Sequence, residues 1–174
     1  MNQKLSTFVC LNISIVIVSD SRNESSDKSG KVLESRILEA GHKLIEKRII
    51  KDEPRDIEKY LTESIKNPKC NVVLLSGGTG LTGRDSTPDV VKKLLTKEIP
   101  GFGEIFRNIS LKTVGTSAIQ SRACAVLSNG KYIFALPGSS GGVTDAWEGI
   151  LKHQLDINHK PCNFVELFPR LKEK

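Results

Sequence analysis

Hydrophobic residues in the first half of the chain alternate between short continuous runs and stripes at helical spacing. Apolar, largely β-branched runs at 13–18 and 71–75 predict buried strands, and residues 44–50 (LIEKRII) predict another strand between them. Apolar stripes after the runs predict three helices, carrying Val32, Leu33, Ile37 and Leu38; Ile57, Leu61 and Ile65; and Val90, Val91, Leu94 and Leu95. Three successive strand–helix units predict an α/β fold with a mostly parallel sheet and helices on both faces.

Glycine and proline set the expected helix ends. Gly41 ends the first helix and Pro54 begins the second. Thr87-Pro88-Asp89 offers an N-cap, a proline at the first helical position and an early acid, so the third helix is expected to begin there.

The second half is less regular. Pro100-Gly101-Phe102-Gly103 predicts a turn before a short helix around Ile105 and Phe106. Runs at 123–127 and 132–136 predict a hairpin joined by Asn129-Gly130. The segment 137–142 (PGSSGG) then leads to a helix from about 143 to 155, and the absence of a linker favours one domain over residues 1–174.

Composition narrows the class of partner. The chain has 26 Lys and Arg against 20 Asp and Glu, a formal charge of +6 that favours a phosphorylated ligand. Its basic residues are scattered and aromatics make up only 5%, so a nucleic-acid-binding module is a weak alternative and no nucleic acid is expected as a partner.

Cysteine and histidine spacing argues against a transition-metal site. Cys10, Cys70, Cys124 and Cys162 include no CxxC pair and are expected to be free thiols in a reducing, cytoplasmic compartment. The apolar run at 5–20 is interrupted by Asn12 and lacks a small-residue cleavage site, so it predicts a strand rather than a signal peptide. No stretch approaches the ~20 apolar residues needed to span a bilayer, so no membrane partner is expected.

Two glycine-rich loops each follow a strand and precede a helix, at 76–86 and 137–142. Such loops lie at the carboxyl ends of parallel strands, where open α/β sheets bind ligands. Their backbone N–H groups suit a phosphate, although tight turns alone would also explain the glycines. The letters of Gly78 to Gly83 match GxGxxG, but the helix is expected only near Thr87, and no Gly-Lys-Ser/Thr sequence follows. Neither a nicotinamide cofactor nor a Walker loop is therefore expected.

Carboxylates accompany the first loop. Asp85 beside a phosphate would repel it unless a cation intervened, and Mg²⁺ commonly lies between carboxylates and nucleotide phosphates. Asp52 follows the second predicted strand and is expected at the same edge. On the residues alone, Asp85 could equally pair with Arg84 or cap a helix, and an exposed turn acid beside Glu53 is the favoured interpretation of Asp52.

Several ordered motifs carry a family resemblance. They are 76–89 (SGGTGLTGRDSTPD), 97–104 (KEIPGFGE), 116–123 (TSAIQSRA) and 134–138 (FALPG), with Ala146-Trp147 further on. Together they resemble the MoaB/MogA family of molybdenum cofactor biosynthesis, and are most similar to its MoaB branch. The resemblance extends from about residue 13 to 169.

The resemblance implies a three-layer α/β/α sandwich of the molybdopterin-binding fold. It also implies binding of molybdopterin, whose terminal phosphate accepts AMP from Mg-ATP as pyrophosphate is released. The catalytic acids, and the Mg²⁺ ligands, would be Asp52 and Asp85. The molybdopterin- and phosphate-binding residues would be Ser19, Asp20, Gly77, Gly78, Thr79, Gly80, Gly138, Ser139 and Ser140.

The same resemblance leaves the activity open. A non-catalytic molybdopterin-binding or carrier protein of the same pathway is the alternative to an adenylyltransferase, and other proteins of that pathway could be partners. Family members assemble as trimers or pairs of trimers, so self-association is expected. Ser140 replaces the usual loop proline, which predicts looser ligand contact. Trp147 is expected to serve as a core or subunit contact rather than to stack on a pterin.

Overall fold

A computed structural model describes residues 7–173, and its centre is a six-stranded sheet with the order β2-β1-β3-β6-β5-β4. The strands are β1 Asn12–Val18, β2 Lys43–Ile50, β3 Val72–Ser76, β4 Lys97–Glu98, β5 Cys124–Ser128 and β6 Lys131–Leu136. Strands β2, β1, β3 and β6 run parallel, whereas β5 is antiparallel to β6 and β4 is antiparallel to β5. The predicted mostly parallel sheet is confirmed.

Six α-helical segments accompany the sheet: α1 Lys28–Glu39, α2 Pro54–Lys66, α3 Thr87–Lys93, α4 Pro100–Val114, α5 Ser140–Ala146 and α6 Lys152–Gln154. A π-helical turn over Trp147–Leu151 joins the last two, and 3₁₀ turns occupy Gly115–Gln120 and Val165–Arg170. None of the helices in the part of the chain described here is long and apolar enough to cross a membrane.

Side-chain alternation along β1 shows how the layers form. Ile13, Ile15 and Ile17 face a core that includes residues of α1, α4 and α5. Val16 and Val18 face the opposite core, which includes residues of α2 and α3. Successive strand residues point to opposite faces, so a continuous apolar run is buried on both sides. The three-layer α/β/α arrangement is confirmed.

Most predicted elements are present, with local differences. Asn129 and Gly130 have φ of 47° and 76°, the left-handed conformations that a two-residue hairpin turn requires. Trp147 is only 2% exposed and belongs to the first core, consistent with its predicted packing role. Leu38, by contrast, was predicted to belong to the apolar stripe of the first helix, but 55% of its surface is exposed.

Three helix predictions were wrong in their boundaries. Pro100 is in the first turn of the 15-residue helix α4, because proline is accepted where the N–H has no helical partner, and the following glycines are helical rather than a turn. Ser86, not Thr87, occupies the N-cap position of α3, which ends at Lys93. The last helix begins at Ser140, earlier than predicted, and is interrupted by the π turn. Strand β4 was not predicted, because two residues carry no periodicity.

The four free cysteines are distributed between core and surface. Cys70 and Cys124 are buried, whereas Cys10 and Cys162 are exposed. This matches the predicted free thiols. The beginning of the apolar run at 5–20 lies outside the described residues, and from Asn12 onward that run is β1.

Candidate functional site

Four loops meet at one edge of the sheet, where the parallel strands end. Val18 of β1 pairs with Ile50 of β2, and Ile17 pairs with Ser76 of β3. Ser76 in turn pairs with Leu136 of β6. The residues that follow these strands therefore converge, as the sequence predicted for both glycine-rich loops.

Two glycines allow the first loop to pass very close to its neighbours. Gly77 has φ 122°, and a Cβ there would lie 2.1 Å from the carbonyl oxygen of Val18. Gly78 has φ 62°, and its Cβ would lie 2.5 Å from Thr87 Oγ1 and 2.9 Å from Asp52 Oδ1. No larger residue fits either position without displacing backbone or an acid, so these glycines serve close approach as well as turning.

Asp52 is not the exposed turn acid that the residues alone favoured. Its carboxylate is half-buried beside Gly78, and Oδ1 has no hydrogen-bond partner within residues 7–173. Burial, followed by the carboxylates of Asp85 and Asp20, raises the pKa of Asp52. A partly buried carboxylate with two acidic neighbours and an unpaired oxygen is the environment that a bound cation would stabilise.

Asp85 has a different environment from Asp52. Its Oδ2 accepts hydrogen bonds from Thr82 N at 2.9 Å and Thr82 Oγ1 at 2.6 Å. The Thr82 hydroxyl bond is the main cause that lowers the pKa of Asp85, and the Gly80 and Thr82 amides add to it. These donors keep Asp85 ionised at the loop that carries the glycines.

Arg84 does not pair with its neighbour Asp85. Its guanidinium lies 2.7 Å from Asp20 Oδ2 and 3.1 Å from Glu53 Oε1, and it donates to the Asp52 carbonyl at 3.2 Å. Asp20 Oδ1 also accepts from the Asp52 N–H at 3.2 Å. The Arg84 pairing and the helix-capping role considered for Asp85 are thus both absent from the described contacts, and Arg84 instead joins the loops after β1, β2 and β3.

The second glycine-rich loop begins a helix. Ser139 is the N-cap of α5, and its side chain accepts from the Gly142 N–H at 3.0 Å. Ser140 is the first helical residue and is exposed. Gly138 lies against the first loop, since a Cβ there would be 3.4 Å from Gly77 Cα. The two loops therefore touch.

Arg22 connects the loop after β1 to the second glycine-rich loop. It donates to Ser29 Oγ at 2.8 Å and to the Gly138 carbonyl at 2.5 Å. Ser29 Oγ in turn lies 3.2 Å from Ser76 Oγ at the end of β3. This network fixes the relative positions of three loops beneath their exposed tips.

A cavity of about 430 Å³ lies beside the first loop, between α3, α4 and the start of β5. Arg122 forms the connection: it donates to the Gly80 carbonyl at 2.7 Å, to both Asp89 oxygens at 3.0 Å and to the Asp85 carbonyl. The remaining lining is mixed, with Glu98, Glu104 and Arg107 beside Pro88, Ile99 and Ile119. Its size and mixed polarity suit a small organic ligand.

The structure brings every residue of the predicted site to this edge. Ser19 extends from β1, with its N–H bonded to the Ile50 carbonyl at 2.9 Å, and Asp20 follows it. Thr79 is buried, and its carbonyl accepts from the Arg122 N–H at 2.9 Å. Sequence reasoning gave no role to Arg22 or Arg122, and gave Thr87 only that of a helix cap. Arg122 does lie inside the motif at 116–123, but spacing alone does not show which carbonyls an arginine reaches.

The donors present fit a hard divalent cation. Carboxylate oxygens are the ligands that Mg²⁺ prefers, usually with only one or two carboxylates and the substrate phosphates. Asp52 offers an unpaired oxygen, and Asp85 lies close enough to affect its pKa. Across residues 7–173, no group of three or more His, Cys, Asp or Glu side chains is arranged to hold a metal ion. That arrangement suits an ion that completes its coordination on a phosphorylated ligand.

This combination of a doubly covered, mostly parallel sheet and glycine loops beside paired acids defines a class of ligand-binding α/β domain. The sequence pattern of the family described as "Probable molybdopterin binding domain" matches residues 14–157. The chain therefore belongs to the molybdopterin-binding family of molybdenum cofactor biosynthesis proteins.

Its relatives place it more narrowly. It is 41% identical to molybdenum cofactor biosynthesis protein B of Escherichia coli strain K12, over 99% of this chain and 100% of that protein. The Bacillus cereus protein of the same name is 44% identical over 81% of this chain and 84% of its own length.

Solved structures agree with this assignment. A crystal structure of molybdenum cofactor biosynthesis protein B superimposes with a TM-score of 0.87 and 36% identity, covering 97% of this chain and 100% of that one. The tungsten cofactor synthesizing protein MoaB from Pyrococcus furiosus superimposes with a TM-score of 0.74 and 32% identity, covering 83% and 92%. The resemblance inferred from the motifs is confirmed.

Proposed function

We propose that this protein binds molybdopterin at the loop edge and transfers AMP from Mg-ATP to its terminal phosphate, releasing pyrophosphate. The observation that carries the proposal is Asp52, whose buried Oδ1 is unpaired among the described residues and lies close to the charge of Asp85. Such an arrangement is unfavourable in an isolated protein and becomes favourable when a cation and a phosphate chain are bound.

The reaction requires little covalent chemistry from the side chains of the protein. An oxygen of the molybdopterin phosphate attacks the α-phosphorus of ATP, a new P–O bond forms, and the bond from that phosphorus to the β-phosphate bridge breaks. Pyrophosphate leaves with the bonding electron pair. The protein must hold two phosphorylated molecules in line and offset their charge.

The two loops supply the positioning. Gly77 and Gly78 bring the backbone of the first loop against Val18 and Asp52, and the second loop touches Gly77 through Gly138. This leaves little side-chain bulk between the loops and an approaching phosphate. Asp52 and Asp85 would hold Mg²⁺, which supplies neutralisation of the phosphate charge when bound.

The cavity beside Arg122 is the place proposed for the pterin. Its mixed lining includes the carboxylates of Glu98 and Glu104, which can accept hydrogen bonds from ring N–H and amino groups. Pro88 and Ile119 offer apolar surface to a flat ring. A ligand there would extend its phosphate toward Gly80, because Arg122 joins the cavity to that part of the loop.

Self-association is a further part of this proposal. Leu111, Val114 and Ile119 expose 52%, 55% and 81% of their surface near the end of α4. A group of exposed apolar side chains is typical of subunit contacts. We propose a homotrimer or a pair of trimers, and sedimentation as a monomer at micromolar concentration would count against it.

The experiment is pyrophosphate release from Mg-ATP with freshly prepared molybdopterin, with the adenylylated pterin followed directly by mass spectrometry. Native protein is expected to form product, and Asp85→Ala to lose about a hundredfold or more in rate, as when one element of an electrostatic site is removed. Asp56→Ala is the matched control, because Asp56 is an exposed acid in the first turn of α2.

The outcomes separate the two functions in this pathway. Product that depends on Asp85 and not on Asp56 supports the adenylyltransferase. Molybdopterin that binds while no product forms supports the non-catalytic binding or carrier protein and overturns the transfer step. Full activity in Asp85→Ala would remove Asp85 from the catalytic group.

A further inference from the structure

Thr87 is a buried hydroxyl for which the fold provides no partner. The residue is 0% exposed, and Oγ1 has no hydrogen bond to any described residue. It occupies the first position of α3, but it does not cap that helix, whose N-cap is Ser86. Buried hydroxyls are normally hydrogen-bonded, so an unpaired one calls for an explanation.

The Thr87 hydroxyl and Asp52 Oδ1 border the same small space. An ideal Cβ on Gly78 would lie 2.5 Å from Thr87 Oγ1 and 2.9 Å from Asp52 Oδ1, so both oxygens are close to one point beside this glycine. The main chain holds Thr87 beside Gly78, because the Thr87 N–H donates to the Gly78 carbonyl at 3.1 Å. Both oxygens lack a hydrogen-bond partner among residues 7–173.

The chemistry of the pair indicates a cation. Hydroxyl and carboxylate oxygens are hard donors, and a Ser or Thr hydroxyl on Mg²⁺ recurs in phosphate-binding loops. Asp85 and Asp20 add negative charge close to Asp52, and Arg84 is committed to Asp20 and Glu53. Because carboxylates outnumber guanidinium groups here, binding of an anion such as phosphate at this point is unfavourable unless a cation accompanies it.

We propose that the Thr87 hydroxyl is an oxygen donor to the divalent cation of this site, together with Asp52 and Asp85. The identity of the ion as Mg²⁺ and the inclusion of Asp85 rest on the proposed function, but the pairing of Thr87 Oγ1 with Asp52 Oδ1 does not. Thr87 then has a binding role that the sequence does not indicate, since Thr-Pro-Asp at the start of α3 predicts only a helix cap.

The test uses Mn²⁺ as an electron-paramagnetic-resonance probe on the full chain without ATP or molybdopterin, with Mg²⁺ as competitor. Native protein is expected to bind one Mn²⁺ that Mg²⁺ displaces. Thr87→Val keeps the shape and removes the oxygen, so affinity should fall about tenfold or more, as for other supporting groups of metal sites. Thr87→Ser should recover most of it.

Thermal unfolding without metal separates this role from a structural one. Removing an unpaired buried hydroxyl is neutral or stabilising, so Thr87→Val should unfold at the native temperature or above it. Equal Mn²⁺ affinity in the native protein and Thr87→Val would overturn the proposal, as would absence of Mn²⁺ binding by the native chain. If Mn²⁺ binding depends on Thr87 but the protein has no transferase activity, the Thr87 proposal is supported and the adenylyltransferase function is contradicted.

Discussion

The two glycine-rich loops have similar compositions, yet their glycines serve different physical purposes. In the first loop, Gly77 and Gly78 have positive φ, and a Cβ on either would meet Val18, Thr87 or Asp52, residues distant in sequence. In the second, Gly141 has nothing within 4 Å of an added Cβ, and the atoms nearest to Gly142 belong to Pro137 and Ser139 of its own loop.

The difference shows which loop fixes the site. The first loop is held by long-range contacts and forms the boundary of the space beside Asp52. Apart from the contacts of Gly138 with Gly77 and Arg22, the second is a locally determined helix start, with a Ser139 cap that any helix could use. Substitutions in the first loop should therefore disturb the acids and the ligand, whereas those in the second should act mainly on local stability.

Gly78→Ala is expected to have the largest effect. The new methyl group would occupy the space between Thr87 Oγ1 and Asp52 Oδ1, and the left-handed backbone adds a cost of roughly 1–2 kcal/mol to folding. Displacement of Asp52 should reduce the proposed adenylyl transfer about a hundredfold. Chemical denaturation and the product assay measure the two effects.

Gly141→Ala is the matched control for that comparison. Its Cβ enters open space within α5, where alanine favours the helix by about 0.5–1 kcal/mol. Activity should be unchanged and stability slightly raised. Equal losses of activity in both variants would remove the distinction between a fixed loop and a local helix start.

Asp52→Asn is expected to separate stability from activity. The substitution keeps the shape but removes a charge that is half-buried and repelled by Asp85 and Asp20, so the metal-free protein should melt at a higher temperature near neutral pH. The proposed adenylyl transfer should fall about a hundredfold, because an oxygen anion of the proposed cation site is lost. Differential scanning calorimetry and the product assay provide the readouts.

The pH dependence of this stability difference follows from the direction of the shift. A raised pKa means that ionised Asp52 destabilises the fold above its folded pKa, and that protonation relieves the cost as pH falls toward the ordinary value of 3.8. The advantage of Asp52→Asn should therefore shrink on acidification. A lower melting temperature for Asp52→Asn than for the native protein near neutral pH would contradict the charge argument.

How much of the fold and the candidate site could be predicted from the sequence depends on whether the interactions that determine each feature are local or long-range. The runs at 13–18, 44–50, 71–75 and 132–136 predicted strands, and the carboxyl ends of these strands brought both loops and Asp52 to one edge. Local sequence is enough to predict this convergence, because hydrophobic periodicity identifies each strand and chain direction determines the edge of the sheet at which the strand ends. The same letters did not predict the helical conformation of Pro100 and Gly101, since packing of Phe102 and Phe106 in the core outweighs their turn preference.

Features that depend on distant contacts could not be predicted. The unpaired oxygen of Asp52 depends on Gly78 and Thr87, which are more than 25 residues away, and no local pattern signals it. Arg84 adjoins Asp85 in sequence yet pairs with Asp20 and Glu53 in space. Sequence thus indicated where the candidate site residues meet, whereas the contacts of its charged residues required the geometry.

Ser140→Pro is the smallest expected effect and the sharpest test of the second loop. Ser140 is the first helical residue of α5, where proline is favoured, and Ser139 before it has φ −83° and ψ 147°, the conformation that a following proline requires. The change should stabilise the fold by about 0.4–1 kcal/mol, because proline lowers the conformational entropy of the unfolded chain.

If serine loosens ligand contact here, the molybdopterin affinity of Ser140→Pro should also rise modestly, by less than about tenfold. Titration calorimetry would measure this affinity. Stabilisation without a change in affinity would show that this loop acts as a helix start alone, and destabilisation would show that the Ser140 N–H or its backbone angle is needed in a way that the capped helix does not suggest.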